Sequence, residues 1–244
     1  MSNAVTREMV QWARRSVPKR ATDEARFTAL IEALLDHGMR EVEGPTEAAP
    51  VAFADRRANC VSMAHLVVGL ARRLKIPAYF VLLRAPPLVE KRGDLRVVNG
   101  HLAAAVGPLE SPTVGDFVGT TSISTVPLAP GEEAVASGEA VTPTLPLAPV
   151  SDATAGAIFE LNLGAERLLA RDVEGAVRHL GAAVALDPEF EQAWLNLGVA
   201  LRRSGNRGAA AGAYRRALVL NPDLLAARQN LALLETTPSE ISGP

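Results

Sequence analysis

Cysteine is almost missing from this chain of 244 residues: Cys60 is the only one, so no internal disulfide can form. On the same count cysteine-based metal sites read as excluded, and a reducing compartment fits. Aromatic residues make up only 4%. An excess of positive charge is lacking too, with 25 Lys and Arg against 27 Asp and Glu and a net charge of −2. Neutralising a phosphate backbone or an anionic membrane needs such an excess, so nucleic acid is not an expected partner. The paired arginines, such as Arg72–Arg73 and Arg215–Arg216, are scattered and read as solvated helix faces. No run of about eighteen apolar residues is available to span a bilayer. The first residues, MSNAVTREMVQWARRSVPKRA, have no continuous apolar core of a secretion signal. A cytoplasmic protein is expected, or a periplasmic one if a leader has been removed.

What is present is organised around residues 59–83, NCVSMAHLVVGLARRLKIPAYFVLL. Met63, Leu66, Val67, Leu70 and Leu74 recur at the spacing of a helix with one buried face, and Cys60 lies three residues before Met63 on that face. Asn59 is a plausible N-cap, Arg72, Arg73 and Lys75 suit the last turn, and Pro77 ends the helix. A thiol in the first turn meets unpaired backbone N–H groups and the positive end of the helix dipole, both of which favour thiolate. The plainer reading is that Cys60 packs as a small hydrophobe, as free cysteines commonly do.

Upstream, residues 6–17 and a segment from Thr22 predict two helices, the second with a stripe of Phe27, Leu30, Ile31, Leu34 and Leu35; residues 44–54 read as a loop. Trp12 and Phe27 are expected in the core. Downstream, residues 78–83 predict a strand, Pro86, Pro87, Gly93 and Asp94 a turn region, and LRVVNGHLAAAVG a second strand carrying His101. SPTVGDFVG is a further extended piece carrying Asp116. Cys60 precedes His101 by 41 residues, and His101 precedes Asp116 by 15. The order is that of nucleophile, base and orienting group: an imidazole takes and returns the thiol proton, and a carboxylate holds the imidazole tautomer. His65 stands about 140° around the helix from Cys60 and should not face it. His37 falls at a helix end and His179 inside a repeat helix. No His-Glu-x-x-His or other ligand spacing occurs, so no metal or cofactor is expected.

The segments NCVSMAHLVVGLARRLKIPAYFV, NGHLAAAV and GDFV resemble, in order and spacing, the transglutaminase-like superfamily of Cys-His-Asp proteins, whose fold is related to papain. The resemblance covers residues 56–117, with Leu74-Lys75-Ile76-Pro77 matching the helix end usual in that family. It implies Cys60 as nucleophile, His101 as general base and acid, and Asp116 as orienting carboxylate. The backbone N–H of Cys60 would be one oxyanion donor and Asn59 the other. Leu102-Ala103-Ala104 stands where many members carry aromatic residues.

From residue 151 the character changes. LNLGAERLLARDVEGAVRHLGAAVALDP is echoed by LNLGVALRRSGNRGAAAGAYRRALVLNP at an offset of 34, from Pro188 to Pro222. Leu163-Gly164 aligns with Leu197-Gly198, Ala176 with Ala210, Leu180 with Tyr214 and Ala183 with Ala217. The Trp194-x-x-Leu197-Gly198 start, small residues at helix contacts and closing prolines resemble tetratricopeptide repeats. Two helix pairs and a final helix over residues 225–235 are expected. Projection of the repeat puts Ile158, Leu161, Ala165, Leu168, Leu195, Val199 and Arg202 on the inner face, an apolar groove for the first domain or for a partner segment.

The expected class is α+β: a transglutaminase-like, papain-related domain over residues 1–118, a Pro-rich linker or closing strands over 119–150, an all-α repeat domain over 151–236 and a tail over 237–244. The function implied is thiol chemistry on an amide or peptide bond, hydrolysis before transamidation, with the repeats docking or binding a protein. The alternative is a noncatalytic interaction scaffold.

Overall fold

The computed structural model describes residues 4–92, 95–115 and 147–236. Two compact units emerge, Met1–Leu88 with Asn99–Asp152, and Val89–Val98 with Ala153–Pro244.

The first unit is built on helices with explicit start signals. Helix α1 (Arg7–Ser16) begins where Thr6 Oγ1 accepts the Met9 N–H at 3.3 Å. Helix α2 (Asp23–Asp36) begins where Thr22 Oγ1 accepts from Ala25 N at 3.2 Å, with Asp23 and Glu24 in the first turn. Its Phe27, Leu30, Ile31 and Leu34 are buried, while Leu35 is half-buried. Strand β1 (Arg40–Glu41) follows, and then helix α3 (Ala49–Asp55) occupies the stretch expected as a loop. At seven residues it is too short for its periodicity to stand out; its signals are Pro50 in the first turn and a left-handed Arg56 (φ 56°) closing it. Strand β2 (Arg57–Ala58) pairs in parallel with β1, Glu41 opposite Ala58.

Helix α4 (Cys60–Arg73) is the centre of this unit. Beyond the expected stripe, Val61, Ser62, Ala64, Val68 and Ala71 are also buried, so the helix is enclosed on most of its circumference. At its end the chain turns through Lys75 (φ 62°), whose neighbour Ile76 donates back to Ala71 O at 2.9 Å. The Arg26 guanidinium donates to the Leu74 carbonyl at 2.6 Å, tying α2 to this terminus.

Strands β3 (Tyr79–Arg92), β4 (Leu95–Val106), β5 (Thr113–Gly115) and β6 (Leu147–Val150) form one sheet in the order β5-β4-β3-β6. β4 and β5 are antiparallel with Ala104 opposite Gly115, and β3 and β6 are antiparallel with Phe80 opposite Val150. The expected turn at Pro86 and Pro87 is instead continuing strand. Among the described residues the β6 pairing ends at Leu83, short of both prolines. A Cβ at Gly115 would sit 2.8 Å from Ile31 Cδ1, so this glycine sets how closely the sheet approaches α2.

The second unit contains helices α5 (Asp152–Leu169), α6 (Val173–Leu186), α7 (Glu191–Arg203), α8 (Arg207–Leu220) and α9 (Leu225–Thr236). The two pairs close in the same way. Asp172 Oδ1 accepts from Gly175 N at 2.8 Å and Asn206 Oδ1 from Ala209 N at 3.1 Å, and the preceding residues, Arg171 (φ 62°) and Gly205 (φ 84°), are both left-handed. Leu180 packs into Gly164 and Tyr214 into Gly198, around a core that includes Leu168, Leu195, Leu197, Val199 and Ala217. Among the described residues no helix is long and apolar enough to cross a membrane.

Candidate functional site

Cys60 is placed by the cap of its own helix. Asn59 Oδ1 accepts the Ser62 N–H at 2.9 Å, while its amide nitrogen donates to Gly44 O at 3.3 Å and Thr46 Oγ1 at 2.9 Å. Ser62, fully buried, accepts the Glu47 N–H on Oγ at 2.8 Å. These bonds fasten residues 44–47 across the head of α4 and fix the thiol at its first position. They also use both amide donors of Asn59. Asn59, expected as an oxyanion donor, serves in the structure as a helix cap and a loop tie.

His101 lies in β4 and Glu41 in β1. One donor atom from each of Glu41, Cys60 and His101 lies within 4.8 Å of the other two. The His101 Nδ1 to Glu41 Oε1 distance is 3.7 Å, with the side chains 21% and 17% exposed. Beside them is a cavity of about 10 Å³ lined by Met63, Ala64, Val67, Leu102, Ala103 and Gly115 as well as the three polar residues. That volume suits a single water molecule. The structure thus brings Cys60 and His101 together and adds a carboxylate that no spacing had indicated. Asp116 lies outside the described residues.

Glu41 was missed because its strand is two residues long, leaving no alternation to read, and because it precedes the cysteine. His65 packs against Phe80, ring centroids 4.8 Å apart. His37 stacks on Phe53 at 4.6 Å, beside Trp12. Its pKa is lowered from 6.5, first by burial and then by the nearby Arg56 charge. His179 is held by Glu160 at 2.7 Å. Tyr79 donates its hydroxyl to Gly107 O at 3.1 Å; burial, and secondarily the Glu110 charge, raise its pKa above 10.0.

Of the residues projected onto the inner face of the repeats, Leu195 and Val199 are 2% and 1% exposed and belong to the unit's core. All residues from Leu195 to Ala200 are buried, so the middle turn of α7 has no solvent side. Leu168 is buried as well, and Ile158, Leu161, Ala165 and Arg202 are half-buried.

Comparison with known proteins matches residues 191–224 to the tetratricopeptide repeat family. That segment is the α7–α8 pair and its closing turn, so the second unit contains a tetratricopeptide repeat. Two solved structures, a crystal structure of MamA and a crystal structure of MamA protein, are each 25% identical with a TM-score of 0.32. The alignments cover 34% of this chain and 48% and 45% of theirs, so the chain spans less than half the length of these neighbours. No curated protein matches it.

Proposed function

We propose that the chain is a protein-interaction scaffold, its repeats holding a segment of a partner protein. The observation that carries this is the tetratricopeptide repeat at residues 191–224, preceded by a second helix pair with the same caps, left-handed turn and glycine contacts. Helix-pair repeats offer an extended surface whose parts are held rigid by their neighbours. With Leu168, Leu195 and Val199 in the core, the inner-face residues that retain exposure are Ile158, Leu161, Ala165 and Arg202. A photo-crosslinking residue placed at Ile158 or Leu161, in the native cell, should trap one polypeptide that a probe at Val219, 70% exposed on α8, does not. The purified pair should then associate, and Arg202→Glu should weaken the association. Identical adducts at all three positions, or none at any, would defeat the scaffold reading.

A second reading has its own support, the convergence of Cys60 and His101 with a carboxylate. In it Cys60 attacks an amide carbonyl, forming an S–C bond. His101 receives the thiol proton and delivers it to the leaving amine, and water then hydrolyses the acyl-enzyme. Glu41, or Asp116 as the transglutaminase-like resemblance implies, orients the imidazole. Iodoacetamide alkylation of Cys60 against pH checks it directly, since there is no other thiol. Rapid labelling that persists well below about pH 8.5 and slows in His101→Ala supports a thiolate–imidazole pair. An ordinary thiol profile, unchanged by His101→Ala, removes the enzyme reading.

A further inference from the structure

We propose that Glu41, Cys60 and His101 bind one zinc-class divalent transition metal ion through a carboxylate oxygen, the thiolate sulfur and a ring nitrogen. This goes beyond both functional readings and depends on neither.

The donor set comes first. One sulfur, one nitrogen and one oxygen form the mixed soft and borderline set that suits zinc and its neighbours, whereas magnesium and calcium take oxygen alone. Thiolate and carboxylate together supply two negative charges against a divalent ion.

The three donor atoms are close enough to share one ion. His101 Nδ1 and Glu41 Oε1 stand 3.7 Å apart, an ion-pair distance. Nitrogen and oxygen bound to one tetrahedral zinc at about 2.0–2.1 Å stand roughly 3.3 Å apart, and a sulfur at about 2.3 Å stands roughly 3.6 Å from either. All three donor atoms here are within 4.8 Å of one another, so an ion at their centre requires only rotamer-scale contraction.

The surroundings supply the remainder. The adjoining cavity, about 10 Å³, accommodates one water, and so a fourth ligand. Its other walls, Met63, Ala64, Val67, Leu102, Ala103 and Gly115, are nonpolar, which strengthens the attraction of the ion for its anionic ligands. Each ligand is anchored independently: Glu41 by the β1–β2 ladder, Cys60 by the capped head of α4, and His101 in the four-stranded sheet. Three protein ligands and one open position form the coordination number of reactive rather than purely structural zinc. The sequence gives no hint of it, because the ligands lie 19 and 41 residues apart on three different elements.

The test uses the full chain, tag-free and reduced, titrated with Co2+ as an optical probe of the zinc position. One equivalent should bind with a thiolate-to-cobalt charge-transfer band. Cys60→Ser should abolish the band, and Glu41→Gln and His101→Gln should each weaken binding by about tenfold or more. One equivalent of Zn2+ should also suppress alkylation of Cys60 in the parent chain, because a coordinated sulfur is no longer a free nucleophile, and do so less in Glu41→Gln. Absence of the band at stoichiometric Co2+ would overturn the proposal. So would a band of equal affinity in Glu41→Gln, a near-isosteric change that leaves the thiol and the fold in place, since that would describe a lone thiolate. The band is read in absorbance without any substrate or partner, so it is scored separately from the alkylation profile and the crosslinking that test the enzyme and scaffold readings.

Discussion

Replacing Gly198 by alanine should destabilise the repeat unit, although the same replacement at Gly181 or Gly212 should stabilise it. A Cβ at Gly198 would lie 2.4 Å from Tyr214 Cε1, 2.5 Å from Cδ1 and 3.0 Å from Cζ. Carbon atoms prefer about 3.5–4.0 Å, so the overlap exceeds 1 Å on a ring that is planar and fully buried. Relieving it means moving Tyr214 or parting α7 from α8, and overpacking of this kind costs about 1–3 kcal/mol, occasionally more. Against that stands the helix propensity of alanine over glycine, about 1 kcal/mol. With two contacts so far inside van der Waals distance the upper part of the overpacking range applies, leaving a net loss of about 2 kcal/mol. Gly181 and Gly212 sit in α6 and α8 with nothing within 4 Å of an added Cβ. There the propensity gain stands alone, and Gly181→Ala and Gly212→Ala should each add about 0.5–1 kcal/mol. Urea unfolding followed by Trp194 fluorescence, in a Trp12→Phe background so that only the second unit reports, measures all three. A Gly198→Ala midpoint that moves upward with the other two would refute the packing argument.

Arg171 holds a left-handed conformation at the turn where the next repeat has Gly205, so Arg171→Gly should stabilise by about 0.5–1 kcal/mol and Gly205→Ala should destabilise, in the same urea assay. Leu195→Asp places a carboxylate in the core of the second unit and should cost more than about 3 kcal/mol; a thermal melt as cooperative and as high as the parent's would contradict its burial. His37 has a folded pKa below its unfolded value near 6.5, so the unfolded chain takes up the proton first. Its contribution is complete above about pH 6.5 and is lost as pH falls through the lowered pKa. His37→Phe should flatten the stability profile in that window, and an unchanged slope would rule the assignment out.

Capped, amphipathic helices were the most legible part of the chain. Thr6, Thr22 and Asn59 each announce a helix start, and the 34-residue echo specifies the second unit down to its paired glycine contacts. The cysteine at the head of α4 and the histidine on a strand were likewise readable, because each follows from local pattern. Three things were not. Helix α3 is too short for periodicity to register. Periodicity put Leu195 and Val199 on one face of α7 but could not tell which faces of a helix its neighbours cover. Glu41 enters the site through a two-residue parallel pairing that depends entirely on tertiary placement. Local signals locate elements, whereas a site assembled from β1, α4 and β4 depends on how those elements meet.

The assembly of Glu41, Cys60 and His101 from separate stretches also sets a timetable. During synthesis, at about 5–20 residues per second, the cysteine leaves the ribosome seconds before the histidine, and the β1–β2 pairing that carries Glu41 can form in that interval. Until β4 adds to the sheet, the thiol has no imidazole beside it and no apolar wall of Leu102 and Ala103 to shelter it. The reactivity of Cys60 is therefore a clock for the first unit: pulse-labelling the thiol on stalled chains of increasing length would date the docking of β4 to the nascent fold.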